Sequence, residues 1–125
     1  MTIIQQFVLN INFIKKDYIY WKYDITAIAE FITTENINSL FIENGFKDEI
    51  GILSIDIDGN DYWVWKAIRV ANPIVVIVEY NSVFGNKYAI TVSYDTCFVR
   101  SKAHYSHLYW GCSLKGLCML AEKKG

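Results

Sequence analysis

The sequence predicts an α/β chain built around a mostly parallel sheet with flanking helices. Three apolar stretches, at residues 24–31, 50–56 and 74–80, have the length and composition of strands. Helical patterns separate them at 33–45 and at about 60–70. Alternating strands and helices are typical of crossover connections between parallel strands. The hydrophobic fraction of 53% supplies the apolar surface that such a sheet buries.

The helix at 33–45 carries the usual signals at both ends. Thr33 or Thr34 is expected to cap its start, and Gly45 to stop it. A second amphipathic pattern covers residues 3–14, where apolar side chains recur at steps of three or four. This pattern favours a helix, and a strand remains the alternative.

The part of the chain after residue 81 is less regular. Residues 82–111 form an aromatic and polar connection that is longer than a compact domain normally leaves without structure, which suggests a lid or a hairpin. A final helix is expected at 113–124, where basic residues in the last turn suit the helix dipole.

Length and charge restrict the function. We expect one domain over residues 1–125, because this length suits a single core. The 12 basic and 13 acidic side chains give a net charge of −1 without a basic block, so nucleic acid is not an expected partner. Three cysteines without a Cys-x-x-Cys indicate a reducing, cytoplasmic setting. We expect neither a signal peptide nor a membrane span, since the start lacks a basic leader and no apolar run reaches about 18 residues.

Polar side chains follow two of the predicted strands. Asp56 and Asp58 end the strand at 50–56, and Glu79 and Asn81 end the strand at 74–80. Because the carboxyl ends of parallel strands meet at one edge of a sheet, these residues are expected to share a ligand crevice. Asp56 and Asp58, two apart on a strand, should point to one face and are the candidate catalytic residues.

The next helix begins beside these carboxylates. Asn60 or Asp61 is placed to cap it, and both are also candidates for substrate or cofactor binding with Glu79 and Asn81. A structural turn around Gly59 is the alternative role for the acidic pair.

No metal site is expected. The spacing from Asp56 to Asp61 places the glycine at the fourth position, whereas a calcium-binding EF-hand requires it at the sixth. His104 and His107, followed by Cys112 and Cys118, match no common zinc spacing.

Two carboxylates facing each other across a crevice could also hydrolyse a glycosidic bond, but nothing else in the sequence supports a glycosidase.

Four separated blocks resemble the middle of FkbM-type S-adenosylmethionine-dependent methyltransferases. The resemblance covers roughly residues 25–124, and its blocks are Thr-Thr-Glu-Asn-Ile-Asn-Ser-Leu-Phe at 33–41, Leu-Ser-Ile-Asp-Ile-Asp-Gly-Asn-Asp-Tyr-Trp-Val-Trp-Lys-Ala at 53–67, Val-Val-Ile-Val-Glu-Tyr-Asn at 75–81 and Thr-Val-Ser-Tyr-Asp at 91–95. It implies a partial Rossmann-like methyltransferase fold. It also implies S-adenosylmethionine as cofactor and methyl transfer to an oxygen of a small molecule or saccharide.

The chain departs from this family in its glycines and in its extent. Enzymes of this type hold the cofactor through a glycine-rich turn after the first strand, and the sequence contains no Gly-x-Gly. Compared with the family, the chain looks truncated at both ends. The alternative function is therefore a non-catalytic remnant or interaction module, whose open sheet is covered in a homo-oligomer or by a complementing chain.

Overall fold

The computed structural model describes residues 2–5 and 26–125, which fall into two compact units, Met1–Ile32 and Thr33–Gly125. In the first unit, strand β1 (Thr2–Gln5) pairs in parallel with strand β2 (Thr26–Ala29). The expected strand at 24–31 is confirmed by β2. The expected helix at 3–14 is wrong for its first residues, which form β1, because strand pairing there prevails over the helical spacing. The remainder of that prediction lies outside the described residues.

The second unit contains two longer parallel strands. Helix α1 (Ile37–Glu43) precedes strand β3 (Asp48–Ile55), and helix α2 (Asp61–Ala67) connects β3 to strand β4 (Ala71–Val78). The strands pair in parallel, with Asp48 opposite Ala71 and Ile55 opposite Val78. Helices combined with parallel strands confirm the α/β prediction at this level.

The start of α1 differs from the prediction, whereas its end agrees. The N-cap position is Asn36 rather than Thr33 or Thr34. The Thr33 N–H donates to Asn36 Oδ1 at 2.8 Å, and the Asn36 N–H donates to Thr33 Oγ1 at 3.2 Å. This reciprocal pair forms a turn that delays the helix by three residues. Gly45 has φ +79°, the conformation that favours glycine after a helix.

The core of the second unit collects apolar side chains from both helices, from one face of the sheet and from the C-terminal segment. Side-chain bonds also join its elements: Asn38 of α1 donates from Nδ2 to the Ala67 carbonyl and accepts the Arg69 N–H at Oδ1. The buried apolar side chains are Ile37, Leu40, Phe41, Leu53, Ile55, Val64, Trp65, Ile68, Val92, Trp110, Cys112, Leu117 and Leu120.

The opposite face of the β3–β4 pair is apolar and exposed. Because side chains alternate along a strand, Leu53 and Ile55 share the buried face, and Ile52 lies on the other with its neighbours Val75 and Ile77 on β4. These three side chains are 66%, 47% and 56% exposed. Parallel sheets are normally covered on both faces, so this face is unusual.

The long connection after β4 is irregular but fixed at several points. It contains a short 3₁₀ helix (Ser82–Phe84), the four-residue helix α3 (Arg100–Ala103) and an antiparallel bridge between Thr91 and Cys112. A regular hairpin is therefore not formed between residues 82 and 112. Helix α4 (Leu114–Lys124) follows as expected, with Ser113 Oγ accepting the Gly116 N–H.

In the described part of the chain, no helix combines the length and apolar character needed to cross a membrane.

Candidate functional site

The site begins where β3 and β4 end side by side. Ile55 lies opposite Val78, and the Glu79 N–H donates to the Ile55 carbonyl at 3.4 Å, so Asp56 and Glu79 leave the sheet at the same edge. We call residues 56–61 and 79–81 the carboxyl edge. The predicted meeting of the polar strand ends is therefore present in the structure.

The chain turns sharply directly after β3. Asp58 has φ +58° and Gly59 has φ +155°, and neither angle belongs to a strand. The expectation that Asp56 and Asp58 point to one face of a strand is wrong, because the strand ends at Ile55 and its alternation does not reach them. A left-handed aspartate is uncommon, although Asp adopts this conformation more readily than most residues.

Asp61 holds this turn together. Its side chain is fully buried, and its two oxygens accept the N–H groups of Ile57 and Gly59, each at 3.0 Å. Burial raises the pKa of the Asp61 carboxyl, and these two backbone hydrogen bonds oppose the shift. Asp61 thus accepts N–H groups of the turn that precedes α2, whereas a usual N-cap side chain accepts N–H groups inside the helix.

Two asparagines fasten the edge to the irregular connection. Asn60 occupies the N-cap position of α2, yet its Nδ2 donates to the Asp95 carbonyl at 2.8 Å, and its buried Oδ1 has no hydrogen-bond partner in the structure. Asn81 donates from Nδ2 to the Leu108 and Trp110 carbonyls and accepts the Val83 N–H at Oδ1. Both side chains are buried, and the bonds they make are structural.

Glu79 lies in the electrostatic field of the whole edge. Partial burial is the main cause that raises the pKa of its carboxyl, followed by the negative charges of Asp56, Asp61 and Asp58, while Arg100 opposes them. The carboxylates of Asp56, Asp58 and Asp61 are therefore near enough to repel a negative charge on Glu79. Asp56 is exposed and Asp58 half-exposed, so solvent reaches both.

Sequence reasoning did not identify the cation at this edge. Arg100, in α3, has its Nη1 3.7 Å from Asp58 Oδ1, and its guanidinium lies 4.3 Å from the centre of the Trp110 ring. Its Nε also donates to the His107 carbonyl at 3.2 Å. Arg100 is 42 residues from Asp58 in an irregular segment, so no periodicity or motif connects the two.

The cysteines and histidines do not assemble into a metal centre. Cys112 is fully buried, which raises the pKa of its thiol, and His104 Nδ1 is hydrogen-bonded to Ser106 Oγ at 2.7 Å. Cys118, on α4, is exposed. Within residues 2–5 and 26–125, no group of three or more His, Cys, Asp and Glu side chains is arranged to hold a metal ion.

No protein-family model, no curated protein and no solved structure matches the chain. The geometry of the carboxyl edge is therefore the structural basis for an argument about function.

Proposed function

We propose that the chain is an S-adenosylmethionine-dependent methyltransferase-like protein that uses the carboxyl edge of β3 and β4 to bind its cofactor and acceptor. The observation that carries the proposal is the convergence of Asp56, Asp58 and Glu79 at the edge where a parallel sheet of Rossmann-like type binds ligands. The resemblance of four sequence blocks to this enzyme family supports the same function.

The chemistry of the edge suits this cofactor. Its four carboxylates outnumber the single guanidinium of Arg100, which favours a cation such as a sulfonium. Carboxylate oxygens also accept hydrogen bonds from ribose hydroxyls. Asp58 and Asp56 are the solvent-accessible candidates for orienting cofactor and acceptor.

The proposed reaction is O-methylation of a small molecule or saccharide. S-adenosylmethionine supplies an electrophilic methyl group when bound. The protein's part is to align the acceptor hydroxyl and to take its proton. Glu79 suits the second task, because its raised pKa makes it a better proton acceptor than an ordinary glutamate.

Calorimetric titration of the folded chain tests the proposal. We expect saturable binding of both S-adenosylmethionine and S-adenosylhomocysteine, with the sulfonium form bound about fivefold more tightly at low salt, since a unit charge about 4 Å away in water contributes roughly 1 kcal/mol. Asp58→Asn should reduce this preference. Glu49→Gln, an exposed carboxylate at the other end of β3, is the matched control. Absence of binding by a chain shown to be folded contradicts the proposal.

The exposed apolar face of β3 and β4 favours a second candidate, a non-catalytic module that assembles with a further copy of itself. Ile52, Val75 and Ile77 leave that face open to water. Light scattering on the same protein tests this alternative. A dimeric mass, together with failure to bind either nucleoside in the calorimetric titration, would favour it.

A further inference from the structure

The segment that contains α3 is attached to the sheet ends at two points. At one end, the buried Asn60 donates to the Asp95 carbonyl at 2.8 Å. At the other, the buried Asn81 donates to the Leu108 and Trp110 carbonyls at 2.8 and 2.9 Å. We call residues 97–107, which lie between these anchors, the strap.

The strap itself has little burial. Helix α3 contributes no buried residue, and Tyr105 is 89% exposed. Its internal bonds are local, such as those from Arg100 Nε to the His107 carbonyl and from the His107 N–H to the His104 carbonyl. Segments with few buried apolar contacts open at a lower free energy than the core does.

Two contacts hold the strap against the carboxyl edge, and they fall on neighbouring residues of the strained turn. Arg100 pairs with Asp58 at 3.7 Å, and the Phe98 ring packs so closely on Gly59 that a Cβ there would overlap it. Arg100 and Asp58 are 38% and 48% exposed, so water competes for this ion pair.

We propose that residues 97–107 form a strap that closes over the carboxyl edge, with Arg100 as its latch on Asp58, and that opens about the Asn60 and Asn81 anchors. When closed, the latch neutralises part of the acidic edge. When open, it releases Asp58, uncovers Gly59 and leaves the edge more negative. A cationic ligand at the edge competes with Arg100 for Asp58, so ligand binding and strap opening are coupled.

This proposal rests on the proposed function in one respect, that the carboxyl edge is where a ligand binds. The contacts that define the strap join residues of the chain itself, Arg100 to Asp58 and Phe98 to Gly59. Its test therefore uses the free protein, and its result is independent of whether S-adenosylmethionine binds.

Amide hydrogen exchange of Arg100→Met tests the latch. Methionine keeps an apolar chain over Trp110 but removes the charge. We expect exchange of the Gly59 and Lys102 amides to become about two- to fivefold faster, as loss of an exposed ion pair predicts. Exchange in β4 and α4 should be unchanged.

Two further variants make the test specific. Asp58→Asn introduces a side chain that also tolerates the left-handed conformation, and it should accelerate exchange of the same amides. The variant that combines both substitutions should exchange no faster than Arg100→Met alone. Lys102→Met, an exposed cation on the same helix, is the control and should leave exchange unchanged. The proposal is overturned if Arg100→Met leaves the strap amides unchanged, or if it accelerates exchange equally in β4 and α4.

Discussion

Replacing Asp61 by alanine removes only a carboxyl group, yet it should destabilise the protein substantially. The substitution leaves two backbone N–H groups, of Ile57 and Gly59, without their acceptor. An unpaired buried donor costs about 1–3 kcal/mol. Gly59 is buried and should show most of that cost, whereas the half-buried Ile57 regains part of its loss from water.

One effect opposes this loss. Burial raises the pKa of the Asp61 carboxyl, so ionised Asp61 is itself held at a desolvation cost that alanine removes. Taking the two effects together, we expect a net loss of about 2–3 kcal/mol in the free energy of unfolding. With a urea m-value of roughly 2 kcal/mol per molar, the midpoint should fall by about 1–1.5 M.

Urea unfolding followed by the fluorescence of the buried Trp65 and Trp110 measures this change. Asp61→Asn keeps one acceptor oxygen and should lose only about 1–2 kcal/mol. Asp56→Ala, which removes an exposed carboxylate from the same turn, should stay within about 0.5 kcal/mol of wild type. A value for Asp61→Ala within about 0.5 kcal/mol of wild type would refute the role of Asp61 in holding the turn.

The shifted pKa values of two other carboxyl groups, Glu35 and Glu79, should make stability depend on pH. The Tyr94 hydroxyl, donating to Glu35 Oε2 at 2.6 Å, is the main cause that lowers the pKa of Glu35 from 4.5 to about 2. Tyr94→Phe should return this pKa toward 4.5 by carboxyl NMR titration, and an unchanged pKa would contradict this explanation. The Tyr94 hydroxyl also accepts the Thr34 N–H at 3.1 Å, so only the part of the stability loss that comes from Glu35 should depend on pH. That part should be full above pH 4.5 and vanish as the pH falls to about 2. Glu79→Gln should increase stability slightly above the raised pKa of Glu79, with no gain below pH 4.5, because the charge it removes is partly desolvated and is also repelled by its neighbours. High salt should reduce the part of the gain that comes from repulsion. A gain that persists in acid would contradict this explanation.

The sequence predicted the elements whose signals are local. Strands β3 and β4 follow from apolar runs, and α4 was expected from the basic residues of its last turn. The meeting of Asp56 with Glu79 at one edge was also predictable, because parallel pairing of successive strands places their carboxyl ends together.

The errors arose where strand pairing or individual side-chain contacts decide the local structure. Helical spacing at 3–14 did not reveal that residues 2–5 pair with β2, since pairing depends on a strand more than twenty residues away. The alternation from Asp56 to Asp58 assumed that the strand continued, whereas the Asp61 carboxylate draws the chain into a turn. Arg100 reaches the edge through contacts with Trp110 and His107, and no sequence pattern encodes those.

The turn from Asp56 to Asp61 is built in a way that chain reversal alone does not require. A left-handed non-glycine residue costs of order 1 kcal/mol or more, and a buried carboxylate adds desolvation to that cost. Both are tolerated because Asp61 pairs with two backbone N–H groups and Phe98 closes over Gly59. The result is a fixed backbone beneath Asp58, whose side chain remains half-exposed at the carboxyl edge. Side chains held in place by a buried supporting group are what ligand sites need. For this reason Asp58, rather than the buried asparagines beside it, is the residue at which ligand binding is best tested.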